Sequence, residues 1–244
     1  MPTLSAALCV TQALRMTASD RLNSARQVTI EGRYEEALNE FVWFHDHALE
    51  EEPALYGVRL SFALMYWMEL AEAYPRAKQV LEEIRDRKTN ALIHGEGSRE
   101  TFHDVEAINE ALGCTAHTYS LFVQLASSNS GLAESCSKLA LPAIVCEGDF
   151  ALAARYLPEP ENRIMELGQS LNEDIEDLKQ LPHPHAQLRD VHIKIYASQV
   201  QIIVSIVAGV GHSQDASRLR SLATKLVKSA SVRKAIRGVL ATKV

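Results

Sequence analysis

His45-Asp46-His47 and the loop Pro182-His183-Pro184-His185 are the two places where side chains able to bind a metal stand close together. On a helix, residues two apart point about 200° from each other, so His45 and His47 are not expected to reach one ion. The loop histidines have freer geometry, with His192 beyond them, but no cysteine or carboxylate at ligand spacing completes a set. His103-Asp104 with Glu106 is a compact grouping suited to acid–base work. Such residues more often solvate the exposed face of a helix, and they are read so here. No GxSxG elbow, glycine-rich phosphate loop or HExxH helix occurs. No catalytic residue, metal or cofactor is therefore expected.

The elements that would carry these residues follow from a near-repeat. Gly32-Arg33-Tyr34-Glu35-Glu36-Ala37 recurs as Tyr74-Pro75-Arg76-Ala77 and as Gly148-Asp149-Phe150-Ala151-Leu152-Ala153. Each time an aromatic is followed three residues on by alanine and four further on by a large apolar residue: Phe41, Leu81 or Leu157. Those spacings put all three on one helical face. The alanine lets a partner helix approach, and the glycine before the aromatic supplies the left-handed turn between two helices. A helix over residues 20–31 is expected to turn Leu22, Ala25, Val28 and Thr29 inward, and a second helix to run from Tyr34 to about Leu49.

These residues resemble the tetratricopeptide repeat family. Ala25, Gly32, Tyr34 and Ala37 match its pattern of a small residue seven before the turn glycine, an aromatic two after it and an alanine five after it. A second unit keeps Tyr74, Ala77, Leu81 and Ile84 but has Glu72 in place of the glycine. A third reads Phe102, Val105, Glu106, Gly113, Thr118, Phe122 and Leu125, and a fourth Gly148, Phe150, Ala153 and Leu157 before Pro158 and Pro160. The landmarks at 32, 72, 113 and 148 lie 40, 41 and 35 apart, so the units are irregular and longer than the family's usual repeat. The fold class is all-α: a TPR-like helical-hairpin solenoid closed by a C-terminal bundle. Residues 1–19 form an N-terminal segment or capping helix, 20–158 the repeats, and 159–244 the bundle with a basic last helix.

Composition agrees with a helical protein that has a substantial core: 47% of the 244 residues are hydrophobic and 23% charged. From Ser213 onward eight basic residues face Asp215 alone, so this stretch carries +7 and the remainder −13 of the net −6. That asymmetry makes nucleic-acid binding through the basic C-terminal helix the alternative function. Cys9, Cys114, Cys136 and Cys146 form no CxxC pair, as in a reducing compartment, and the apolar run from Leu4 to Val10 has no basic residue before it. A cytoplasmic location without membrane contact is expected.

After Pro160 the pattern changes. A helix over 161–181 carries Ile164, Leu167, Leu171, Ile175 and Leu178 on one stripe. A second helix from Ala186 to Gly211 is apolar nearly all round in its second half, which suits a central helix buried by its neighbours better than a membrane span. A final helix over 214–238 has Leu219, Leu222, Leu226 and Ala230 on one face, with Arg233 intruding, so a bend beyond Ser231 is expected.

Function is expected along a groove lined by the first helix of each hairpin, as the resemblance implies. The partner-binding residues are Arg26, Arg59, Phe62, Tyr66, Glu69, His103 and Lys138. By helical spacing alone, Trp43, Phe44, Phe62, Met65, Tyr66 and Trp67 also read as core. The terminal-carboxylate clamp of some family members is not reproduced, because Leu22 and Ala63 stand where it needs polar side chains. The expected partner is a protein or peptide with apolar anchors and some acidic character.

Overall fold

The computed structural model describes residues 16–183 and 185–241, which are all-helical without strands. The expected N-terminal segment before Met16, with Cys9, lies outside the described residues, as does Lys243 of the basic tail. The chain divides into two compact units, Met1–His117 and Thr118–Val244. The boundary read from sequence at 158/159 does not coincide with this division, which instead falls inside the third expected repeat.

The first unit begins with α1 (Ala18–Ile30), whose start is fixed by a capping box between Thr17 and Asp20. Leu22, Ala25 and Val28 are buried, as their spacing requires. Gly32 ends the helix at φ 78°, and the Arg33 N–H reaches back to the Val28 carbonyl at 3.0 Å, the closure that a left-handed residue permits. Next come α2 (Tyr34–Glu51), a short 3₁₀ turn (Pro53–Leu55), α3 (Tyr56–Arg59), α4 (Phe62–Ala73) and α5 (Pro75–Ile93). α6 (Arg99–Ala111) starts from a second capping box, Ser98 with Thr101. α1 packs on α2, α2 on α4, α4 on α5, and α5 on α6.

The repeat landmarks meet here. Ala37 and Ala77 are both fully buried. Tyr34 and Tyr74, the aromatics at corresponding places in the near-repeat expected from sequence, stack with ring centroids 6.0 Å apart, and the Tyr74 hydroxyl donates to Glu35 at 2.5 Å. Phe41 stacks on Trp67 at 5.8 Å, and the Trp67 indole N–H donates to the Ala77 carbonyl at 2.9 Å. An indole can be buried so completely because its one donor is satisfied.

α7 (Thr115–Ser128) crosses the boundary between the units. The second unit continues with α8 (Ser130–Cys146), α9 (Phe150–Arg155), α10 (Pro160–Gln180), α11 (Ala186–Gly209), α12 (Ser213–Leu226) and α13 (Ala230–Ala241). Pro158 and Pro160 stop α9 after six residues, as the sequence implies. α11 packs against α8, α9, α10, α12 and α13. Its length and mean hydropathy of 1.4 would suffice to cross a membrane. Here one broad face, including Ile193, Val200, Ile203, Val204 and Val207, forms the centre of the unit's core. Burial is not all round, because Val191 and Ile195 remain exposed.

The last segment departs from the expected single helix. The break falls at residues 227–229, before Ser231, and has a specific lock. Asn172 of α10 donates to the Leu226 carbonyl at 3.0 Å and accepts from the Lys228 N–H at 2.9 Å. Arg233 then turns back and donates to the Val227 carbonyl at 2.9 Å (Nε) and 2.6 Å (Nη2). The intruding arginine thus caps the preceding helix's open carbonyls.

Candidate functional site

The first unit holds two adjoining features built on α3, α4 and α6: a buried knot of charges and an open groove. The knot begins with His45, which lies on the same α2 stripe as Phe41 and Ala48 and is only 4% exposed. Its ring meets Trp67 edge-on at 6.4 Å, and neither ring nitrogen has a hydrogen-bond partner among the described residues. Burial first, and then the Arg59 charge, push its pKa down to about 3. Arg59, 5% exposed, closes the four-residue α3 and grips Asp104 of α6 through its two terminal guanidinium nitrogens, while its Nη1 also donates to the His45 carbonyl at 3.3 Å. Lys88 of α5 reaches the same carboxylate at 2.6 Å. Burial alone would raise the Asp104 pKa, but the hydrogen bonds and charges of Arg59 and Lys88 outweigh it and the net shift is downward.

Beside the knot, the Tyr56 hydroxyl bonds His103 Nδ1 at 2.8 Å, and His103 Nε2 lies 4.0 Å from Glu106. Burial lowers the His103 pKa. Burial, helped by the nearby charge of Glu110, raises Glu106 to about 7. The expected solvated face of α6 is therefore corrected for Asp104, which is buried, and for Glu106, which is mostly withdrawn from water.

The groove is a cavity of about 550 Å³ between α4 and α6. Leu60, Leu64, Met65 and Met68 provide its apolar surface together with Phe62, and Glu69, Glu72 and Glu110 stand at its edge. Phe62 is 56% and Met65 46% exposed, so neither belongs to the core, although Phe44 and Trp67 do. Of the residues expected to line a partner groove, Phe62 and Glu69 do so. Tyr66 is half-buried with Arg26 stacked over its ring at 4.5 Å, and His103 is engaged with Tyr56. Arg59 is corrected: its charge is spent inside the fold. Lys138 belongs to the second unit, where it is exposed on α8. The charged side chains lining the groove are thus Glu69, Glu72 and Glu110.

Sequence reasoning missed the knot and the methionines Met65 and Met68. The knot had a signal: Asp104 lies one turn before Ile108 and so shares its inward side of α6.

Among the described residues, no group of three histidines, cysteines or acids is placed to hold a metal ion. His45 is buried and His47 exposed, so the two imidazoles do diverge. In the basic C-terminal stretch, Arg218 pairs with Glu161 at 3.0 Å and Arg233 is used as a cap. No protein family, curated protein or solved structure matches this chain.

Proposed function

We propose that this chain is a non-enzymatic interaction protein of TPR-like helical hairpins, and that the α4–α6 groove receives an amphipathic helix or peptide with apolar anchors and basic flanks. One observation carries the proposal: an aromatic and a methionine stand exposed in a cavity whose charged side chains are all carboxylates. Exposed large apolar groups ringed by charge mark interaction surfaces. Methionines let one such surface adapt to different side chains. The rim sign selects basic partners, because like charges across an interface disfavour wrong ones. The hairpin assignment is supported by the Tyr34–Tyr74 stack, the buried Ala37 and Ala77, and the left-handed Gly32.

The test uses three synthetic peptides of equal length titrated calorimetrically into the full chain: a leucine/lysine amphipathic helix, its leucine/glutamate counterpart and a serine/lysine peptide. Saturable binding is expected for the first alone. Phe62→Asp should weaken it at least about ten-fold, the loss typical of a central anchor, with the melting temperature little changed because Phe62 is exposed. Equal binding of the two lysine peptides would reduce the effect to bulk charge and overturn the groove. Binding of the leucine/glutamate peptide would reverse the assigned rim sign.

A further inference from the structure

The second unit contains a cavity that the proposed interaction groove does not use. It measures about 620 Å³, within the range of small-molecule sites. Leu157 and Met165 form one side, and Ile206, Val207, Val210 and Leu219 another. Leu219 and Ile206 are buried core residues, while Met165 and Val210 remain exposed at 44% and 38%, so the apolar lining runs from core to solvent.

The polar groups gather at the starts of α10 and α12. Glu159 precedes α10 and Glu161 lies in its first turn, where a helix favours negative charge; Asp215 holds the same position on α12. Arg218 spans the two helices, 3.0 Å from Glu161 and 3.7 Å from Asp215, and His212 Nδ1 lies 3.8 Å from Asp215. Asn162 donates to Glu159 at 2.5 Å. Three carboxylates therefore share the cavity with one guanidinium and one imidazole, so acidic side chains outnumber basic ones. The Arg218 side chain is 63% exposed, so its ion pairs are loosely held and open to exchange.

We propose that this cavity binds a small amphiphilic cation, with an apolar body against Leu157, Met165 and Leu219 and an ammonium head at Glu161 and Asp215. The head takes over the carboxylate contacts that Arg218 makes in the free protein. Arg218 is thus a competitor of the ligand and its removal strengthens binding, whereas for an anionic ligand Arg218 would be the anchor. The sign of that one substitution distinguishes the two.

Octylammonium, octanoate and octanol, which share one apolar body, provide the probes in calorimetric titrations of the full chain. Octylammonium is expected to bind saturably at one site, at least about ten-fold more tightly than either companion, the scale of one charge-assisted hydrogen bond. Arg218→Gln should tighten octylammonium several-fold, and Glu161→Gln should weaken it about ten-fold. Val210→Trp, at a partly exposed lining position, should abolish binding while circular dichroism shows the helical content retained. Should Val210→Trp unfold, Met165→Trp fills the cavity from the opposite wall. Tighter binding of octanoate, weaker octylammonium binding in Arg218→Gln, equal affinity for all three probes, or no saturable binding would each overturn the proposal.

Discussion

The two units solve the problem of burying helices in different ways. The first encloses charge: Arg59 and Asp104 are buried beside the neutral His45, with Lys88 at the edge. The second centres on aliphatic side chains of α10 to α13, and its ionisable Tyr196 is neutralised by a simpler arrangement, donating to the Ala223 carbonyl at 2.8 Å with burial pushing its pKa up to about 12. An aliphatic core tolerates changes of partner because its attraction has no direction. A buried ion pair has direction, and it holds a four-residue helix that could not persist alone. α3 is tied to α6 by Arg59–Asp104 and Tyr56–His103, and it leads directly into the groove residues at the start of α4.

The largest effect should come from cutting that tie. Asp104→Ala leaves two cations facing a vacated site and should cost about 3–5 kcal/mol in urea unfolding. The double variant Arg59→Met/Asp104→Leu should lose less than the single one, since neither charge is then stranded. A loss under about 1 kcal/mol for Asp104→Ala would mean the knot is dispensable.

In the second unit the equivalent test is steric. A side chain at Gly209 would place its first carbon against the Phe150 ring, well inside van der Waals contact, so Gly209→Ala forces the ring to move. About 1–3 kcal/mol should be lost, the usual cost of overpacking. A similar loss is expected for Ala37→Leu in the first unit, where the alanine is fully buried. If thermal melts show Gly209→Ala unchanged, the α9–α11 contact is softer than its geometry implies.

Titration should sharpen the contrast further, because both strongly shifted residues of the knot region lie in the first unit. Glu106 holds its proton to about pH 7 when folded but releases it near 4.5 when unfolded. Its folded form therefore binds more protons, and stability falls as pH rises through that window. His45 runs the other way: with a folded pKa of about 3 against 6.5 unfolded, stability rises with pH between those values. Glu106→Gln should raise stability at pH 8 by about 1–2 kcal/mol and change little at pH 4. His45→Phe should flatten the acid limb between pH 3 and 6.5. Unfolding curves collected across this range would show both, and a Glu106→Gln benefit that is the same at pH 4 and pH 8 would rule out the charge explanation.

The smallest effect is expected at the end of the second unit. Arg233→Ala removes the cap on the Val227 and Lys228 carbonyls and should cost about 0.5–1.5 kcal/mol, detectable as faster amide exchange around residues 226–230.

Helix content, the inward stripes of α1 and α10, and the buried Ala37, Ala77 and Ala153 followed from the sequence, because residue spacing along one helix is enough to define its apolar face. Gly32 and Gly148 were legible for the same local reason: a left-handed turn demands glycine whatever surrounds it. Phe62 and Glu69, reached by counting back from a turn, both line the α4–α6 cavity. Only the tertiary structure decided which charges remain available. Arg59 is a cation in sequence, but its pairing with Asp104 depends on a residue 45 positions away. The same distance effect set the groove's charge, since Glu69 and Glu72 of α4 meet Glu110 of α6 although α5 lies between them in the chain. The break at residues 227–229 was likewise settled from afar, by Asn172. Periodicity encodes which face of a helix is apolar; electrostatic partners are chosen by whichever helices come to lie beside it.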